Sequence, residues 1–562
     1  MVVFKKIAPF LIIFVLALPS VLPLFHSGYF PMHDNTQPTR VYEMAGALRD
    51  GQFPVRWVSD LGYGFGYPIF NFYSPLPYYF GALGVLAGLD SIVATKLMFS
   101  VAIILAGFSM FSLGKKLWGY PGGIIAALLY LYAPYHGVQV YVRGAVGEYW
   151  AYGLLPLIFY GVSLAAEGQW WGILVAGVTL AGVILSHNII SMLAVGFLVA
   201  WFILAAILAI VRKKTFILPK SLLLTVFLGL GLAAFFWIPA IFEANLTKIH
   251  TLISGSNDFR QHFVFLDQLW SSPWGYGGSA PGRADGFSFM IGKVHIVLEL
   301  VVLAGFLFNG GEIRKKRGIF ALLLSGLIGA TVMMLPVTQP IWEVISPLSF
   351  VQYPWRFLVF SAFFISILGG SCTLIVARSK IGKFSFIYWL LLIILAGGIV
   401  LFNAKYFRPQ FYSKETSADF IAPQRIKWNI SKISDEYLPK NFPTPQNESE
   451  VSQSKIRGSG GIIVESSEIK SQQWHAIISA PQAAEIVFSI AYFPGWKIFI
   501  DATPVKPLIR DGLVTFDVTA GRHILTAYFD DTPVRALGNL ISLITIMICS
   551  IVVIQKLRHE KN

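Results

Sequence analysis

The stretch KKIAPFLIIFVLALPSVLPLFHSGYFPMHDN, Lys5 to Asn35, decides the architecture. Two lysines precede an apolar run long enough to cross a hydrocarbon core of roughly 30 Å as a helix. His33 and Asp34 follow it, in a loop rich in Arg, Tyr, Trp and Gly that runs from His26 to Pro75. An acidic residue just beyond the first span of a many-span protein is the most chemical-looking feature of the chain.

The rest of the sequence repeats the apolar pattern. Hydrophobic residues make up 55% of the 562 and charged residues 13%, with a mean hydropathy of +0.65. This composition belongs to a polytopic α-helical membrane protein and excludes a soluble enzyme. Apolar runs predict about twelve spans. They lie near 7–25, 95–114, 119–140, 149–165, 171–187, 189–211, 220–242, 291–308, 318–336, 357–377, 384–402 and 537–555. Ile7 to Leu18 could be a signal-peptide core, but Pro19, Ser20 and Pro23 follow without a small-residue cleavage site, so the run reads as an uncleaved anchor.

Orientation follows from the cations. With Lys5 and Lys6 inside, alternate connections also carry Lys115-Lys116, Arg212-Lys213-Lys214, Arg314 to Arg317, Arg378 to Lys383 and the tail Lys556 to Lys561. Both termini are then cytoplasmic in a multi-pass plasma-membrane protein. The loops holding His33-Asp34, Glu243 to Lys293 and Pro336 to Arg356 face outside. The formal charge of +14 is mostly topology, with anionic lipid as its neighbour, and a nucleic-acid partner has no support. The apolar segment PLPYYFGALGVLAGL, Pro75 to Leu89, is short, and counting it as a span would place Lys115-Lys116 outside. It is expected as an interfacial or re-entrant helix within a first outer loop covering 26–94.

Polarity changes near Asn403. Residues 1–402 are expected as the membrane domain, 403–536 as an extracytoplasmic β-rich domain, and 537–562 as a last span with a cytoplasmic tail. Lys414 to Ser459 reads as an irregular linker. Alternating segments Gly461–Ile469, Trp474–Ser479, Ala484–Tyr492, Trp496–Ile500, Leu513–Val518 and His523–Phe529 then predict six short strands of a small β-sandwich. The two cysteines, Cys372 and Cys549, fall in separate spans and imply neither a disulfide nor a thiolate metal site.

Several polar residues gather at the outer boundary. Glu148 and Arg143 lie in VRGAVGEYWAYGLLPL, His187 at the outer tip of ILSHNII, and Arg356 at the end of QYPWRF. Together with Asp34 they come from separate places to one leaflet, the arrangement that makes a site between helices. Each also has a plain structural reading. Asp34 could be a helix cap, Arg143 and Glu148 an ion pair, His187 a turn histidine, and Arg356 a side chain reaching lipid phosphate. In the chemical reading, sugar transfer from a lipid phosphate needs a carboxylate to deprotonate the acceptor hydroxyl, and Asp34 fits. The departing phosphate needs cations, and Arg143 or Arg356 fits. Trp57, Tyr63, Tyr67 and Tyr73 could stack on a sugar or anchor the interface.

The acidic first loop (MHDNTQPTRVYEMAGALRDGQFPVRW), the LGYGFGYPIFNFYSPLPYYF stretch and the second outer acid Glu148 resemble the GT-C superfamily of membrane glycosyltransferases. More narrowly, with QYPWR at Gln352 to Arg356 and YFPGWK at Tyr492 to Lys497, the chain resembles the 6-pyruvoyl-tetrahydropterin synthase-related membrane proteins and YfhO-type proteins. The resemblance implies a polyprenyl-phosphate-sugar donor, an extracytoplasmic glycan, lipid or protein acceptor, and a role in the cell envelope. Asp34 would stand as the catalytic acid of the first loop, beside His33. Glu148 would be the second acid, placing acceptor or a divalent metal, Mg or Mn, shared with Asp34. One acid stands at His33-Asp34 where several GT-C enzymes have a pair, and the ten histidines contain no HxH pair to form the zinc site of a pterin synthase.

Two other classes fit the same pattern. One is a lipid or glycolipid transporter or flippase, although no internal repeat is found. The other is a non-catalytic assembly factor for envelope glycans. Walker, HExxH and GxSxG motifs are absent.

Overall fold

The computed structural model describes residues 2–211, 220–308, 316–378 and 385–559. The cationic segment Arg212-Lys213-Lys214, half of Arg314 to Arg317 and most of Arg378 to Lys383 lie outside the described residues.

The described parts of the apolar runs expected as spans are largely helical. Among the described residues, six helices are long and apolar enough to cross a membrane: Ile7–Phe25, Ser91–Leu131, Val146–Ala166, Pro354–Ala377, Phe386–Tyr406 and Pro533–Arg558. Two bent pairs, Lys220–Leu232 with Ala234–Phe242 and Arg317–Val332 with Pro336–Val344, raise the number to eight. The difference from the expected twelve has physical causes. The runs 95–114 and 119–140 stand as one stretch, Ser91–Leu131, in that number, yet they are two helices separated by a break at Gly119 (φ 82°, ψ 179°) and folded back so that Gly107 lies against Leu131. Trp170–Ile184 and Lys293–Phe308 have 15 and 16 residues, fewer than the ~20 of a full crossing. The helix Leu76–Leu86 has 11 residues, about 16 Å of rise, half a crossing.

The chain forms two compact units, each discontinuous in sequence. The first contains Met1–Asp34, Lys96–Leu230 and Leu252–Lys414. It is helical, and its helices bury one stripe each. On Lys293–Phe308 the buried positions are His295, Leu298, Glu299, Val302, Gly305 and Phe306, the i, i+3, i+4, i+7 spacing of a packed helix face.

The second unit contains Asn35–Thr95, Gly231–Thr251 and Glu415–Asn562. Its β part has nine antiparallel strands: β1 Ile456–Gly458, β2 Ile463–Ile469, β3 Gln473–Ala480, β4 Ala484–Ala491, β5 Trp496–Ile500, β6 Thr503–Val505, β7 Leu508–Arg510, β8 Leu513–Val518 and β9 Gly521–Phe529. They form sheets of order β1-β4-β8-β7 and β2-β3-β9-β5-β6. Trp474 of β3 packs on Phe488 of β4 with ring centroids 5.3 Å apart, joining the inner faces of the two sheets. The six expected strands are all present. The three missed ones, β1, β6 and β7, have three residues each, too few to display an alternation.

Ion pairs hold the helical part of this unit together. Glu243 accepts hydrogen bonds from Asn71 Nδ2 (2.8 Å), Arg535 Nε (2.9 Å) and Thr532. Arg56 donates to Asn71 (3.0 Å) and Asn539 (2.8 Å), so the first loop, the segment Gly231–Thr251 and the last helix share one buried polar network. On the helix Gln37–Arg49, burial and then the neighbouring Asp60 push the Glu43 carboxyl up to about 8.

Candidate active site

The first unit brings Asp34, Arg143, Glu148, His187 and Arg356 together, and Glu148 lies at the centre. It stands in the first turn of the helix Val146–Ala166 and is fully buried. Its Oε1 accepts hydrogen bonds from Tyr135 Oη (2.5 Å), Gln139 Nε2 (3.0 Å) and Arg143 Nη1 (2.9 Å). Among the described residues its Oε2 has no hydrogen-bond partner, and it faces Arg356 Nε at 3.6 Å, an ion pair too long for a hydrogen bond.

A local irregularity of the chain places these donors. The segment Val138–Arg143 is a π-helical turn ending on Gly144, whose φ of 64° is left-handed. The wide turn carries Gln139 and Arg143, and Tyr135 on the preceding helical turn, toward one carboxylate. Gly144 is needed twice: for its conformation, and because a Cβ there would lie 2.1 Å from Met32 Sδ. Met32 belongs to the loop that carries Asp34. The amides of His33 and Asp34 donate to the carbonyls of Val142 (3.0 Å) and Arg143 (2.9 Å). Asp34 is therefore fixed to the cationic segment by its backbone. Its carboxylate is partly exposed and accepts no hydrogen bond from a described residue.

Arg356 comes from the 3-10 turn Pro354–Phe357, which opens the helical span Pro354–Ala377. Gln352 takes a φ of 65°, and the guanidinium donates from Nη1 to Val351 O (2.7 Å) and Gln352 Oε1 (2.8 Å). The same segment supplies an aromatic floor. The Arg143 guanidinium lies over the Trp355 ring at 4.6 Å and that of Arg356 over Tyr353 at 4.9 Å. The two rings stack with centroids 4.9 Å apart. Trp355 is pinned by a hydrogen bond to Ser279 (3.2 Å), itself bonded to His262 (2.9 Å).

His187 sits in the turn between the helices Trp170–Ile184 and Asn188–Val211 and accepts the Ile190 amide on Nδ1 at 3.1 Å. Its proton is then on Nε2 and the ring is neutral. It lies across Gly147 from Glu148, where a Cβ on Gly147 would come 3.3 Å from the imidazole. His33 is exposed and bonds by Nε2 to the carbonyl of Tyr276 at 3.2 Å.

Trp57 and Tyr63 are interior residues of the second unit, each 1% exposed. Trp57 packs on Trp496 and Phe529, at 5.4 and 5.3 Å. Tyr63 donates to Asp435 at 3.4 Å. Tyr135, Gln139 and Trp355 join the arrangement without having been singled out from the sequence. Gln139, a lone amide within an apolar run just before Arg143, was the available signal.

Glu148 does not suit a divalent metal. One oxygen is filled by three donors and the other faces a guanidinium, so a cation would meet two arginines. Among the described residues no three of His, Cys, Asp and Glu converge as metal ligands. What the arrangement offers is cationic. Arg143 Nε and Nη2 and Arg356 Nη2 donate to no described residue, and a tetrahedral oxyanion is the ligand such forks match.

Three solved structures illustrate what the chain is similar to. The arabinofuranosyltransferase AftD from Mycobacteria aligns at 16% identity and a TM-score of 0.43, over 72% of this chain and 27% of its own. The oligosaccharyltransferase of Archaeoglobus fulgidus aligns at 16% identity and 0.42, over 81% of this chain and 61% of its own. ArnT from Cupriavidus metallidurans, solved with undecaprenyl phosphate, aligns at 13% and 0.34, over 76% of each chain. The chain thus spans from about a quarter to three fifths of the first two. No curated protein matches it in sequence. The family model described as the 6-pyruvoyl-tetrahydropterin synthase related domain, a membrane protein, matches residues 70–407, more than half of the chain, and the chain belongs to that family.

Proposed function

We propose that this protein is an integral membrane glycosyltransferase that moves a sugar from a polyprenyl-phosphate-linked donor to an extracytoplasmic glycan, lipid or protein acceptor. The supporting observation is that Asp34, whose carboxylate accepts no hydrogen bond from a described residue, is paired by its backbone with the segment of Arg143, whose guanidinium keeps free donors. In this reading the protein crosses the plasma membrane about twelve times, with both termini cytoplasmic and the site outside.

Asp34 acts as general base. It takes the proton of the acceptor hydroxyl as the oxygen attacks the anomeric carbon. The bond from that carbon to the lipid phosphate oxygen breaks in the same displacement, inverting the anomeric centre. The leaving phosphate gains charge in the transition state, and Arg143 and Arg356 stabilise it. Glu148 touches neither reactant. It is a positioning residue that holds both guanidiniums and balances part of their charge. Neutral His187 lines the same cluster, and no step uses a metal.

The test is lipid mass spectrometry on cells lacking the protein, complemented with wild type or Asp34→Asn. Accumulation of one polyprenyl-phosphate sugar and loss of one glycan product, cured by wild type and not by Asp34→Asn, supports the reading and identifies the sugar. Full complementation by Asp34→Asn rejects it.

A further inference from the structure

Each arginine of the cluster is held by hydrogen bonds at one nitrogen. Arg143 uses Nη1 for both Tyr135 Oη and Glu148 Oε1, at 2.9 Å each, and Arg356 uses Nη1 for Val351 O (2.7 Å) and Gln352 Oε1 (2.8 Å). The contact of Arg356 Nε with Glu148, at 3.6 Å, is electrostatic and only weakly directional. A guanidinium tethered at a single nitrogen still swings its plane about that point, and the plane decides where its remaining N–H groups aim. For Arg143 that plane rests on the Trp355 ring, 4.6 Å away, and for Arg356 on the Tyr353 ring, 4.9 Å away.

What fixes the two rings comes from another part of the chain, the outer segment 252–279. Tyr353 Oη donates to Asn257 Oδ1 at 2.6 Å, Trp355 Nε1 to Ser279 Oγ at 3.2 Å, and Gln352 Nε2 to the carbonyl of Leu252 at 2.8 Å. His262, 5% exposed, touches both supports. Its ring meets that of Tyr353 edge-on at 4.7 Å, and its Nδ1 lies 2.9 Å from Ser279 Oγ. Chemistry orders the donors along this line. The Ser256 carbonyl, 2.8 Å from His262 Nε2, can only accept, so the ring proton is on Nε2. Nδ1 then accepts the Ser279 hydroxyl, whose oxygen accepts the indole N–H of Trp355, a group that can only donate. One relay thus runs from the ring beneath Arg143 to the main chain of Ser256.

We propose that Ser279 and His262 are positioning residues of the oxyanion site, acting through Trp355 and Tyr353 on the planes of Arg143 and Arg356. The inference rests on the glycosyltransferase reading in one respect, that the anion is the phosphate of a prenyl lipid. Breaking the relay leaves both positive charges in place and lets their unengaged N–H groups lose a common aim. The cost falls on affinity for the phosphate and not on affinity for the lipid chain.

Full-length protein in lipid nanodiscs is titrated with farnesyl phosphate and with farnesol, which has the same chain and no anion. Ser279→Ala should weaken farnesyl phosphate about tenfold, the order of one lost hydrogen bond, and leave farnesol unchanged. Ser279→Thr keeps the hydroxyl and should restore most of that loss. His262→Phe keeps a ring against Tyr353, loses the nitrogens, and should resemble Ser279→Ala. With fluorotryptophan incorporated, the fluorine resonance of Trp355, identified by its absence from Trp355→Phe, should move in Ser279→Ala and His262→Phe and hold in Ser279→Thr. A loss shared equally by farnesyl phosphate and farnesol would be a general loosening and overturns the proposal, as does wild-type affinity in Ser279→Ala; either leaves the glycosyltransferase reading standing. Wild type that binds the two ligands equally removes the oxyanion site itself, and both the proposal and that reading fall.

Discussion

The amide of Asp34 donates to the carbonyl of Arg143 at 2.9 Å, so the candidate base and a candidate phosphate ligand are set by the same backbone pairing. Their main chains are held at a fixed separation, from which both side chains extend. A carboxylate that accepts no hydrogen bond is free to take a proton, and one fixed by its main chain takes it from a defined position.

Asp34→Asn should therefore leave stability untouched and reduce turnover by roughly 10²- to 10⁴-fold. Thermal unfolding in nanodiscs, beside a transfer assay, checks both halves. A large drop in melting temperature would mean that the carboxylate has a structural partner.

Glu148→Gln should act in the opposite way. It leaves Arg143 and Arg356 buried without their shared counter-charge, at a cost of about 3–5 kcal/mol. Adding Arg143→Gln should recover part of that loss, because the pair is coupled. Strictly additive losses in a double-mutant cycle would contradict the pairing.

Arg356→Lys keeps the charge and loses the fork that reaches Val351, Gln352 and a ligand at once. A fall in kcat/KM of about 10²-fold is expected. The dependence on the length of the lipid chain should not change, since in the proposed function the guanidinium meets only the phosphate. Unaltered kinetics would remove Arg356 from the site.

The second unit has its own pH signature. Glu43 has a raised pKa, about 8 against an ordinary 4.5, so the folded state binds a proton that the unfolded state releases between these values. Its contribution is whole below pH 4.5 and declines as pH rises to about 8. Glu43→Gln should raise the melting temperature by roughly 2–4 °C at pH 8.5 and leave it unchanged near pH 4.5. An equal shift at both values would show that burial is not acting through ionisation.

Much of this fold was legible because hydropathy and alternation are strong signals. The apolar runs fall largely on helices, Trp496–Ile500 and Leu513–Val518 are strands at the residues expected, and the QYPWR motif lies within the residues that match the expected family. The rest depended on features without a periodic signal. Strands of three residues show no pattern. At the site, Glu148 was visible as an acid at a helix start. Its partners Tyr135 and Gln139 reach it through a π-helical turn that no hydropathy pattern encodes. Trp57 and Tyr63 carry the composition of sugar-stacking residues, yet both are spent on packing.

The most direct measurement is on the purified protein in nanodiscs, supplied with extracted polyprenyl-phosphate sugars and envelope acceptors, with release of free polyprenyl phosphate followed by mass spectrometry. The account predicts release by wild type that requires acceptor and persists in chelator, and none above background from Asp34→Asn. Equal release by Asp34→Asn, or release that chelator abolishes, would contradict it.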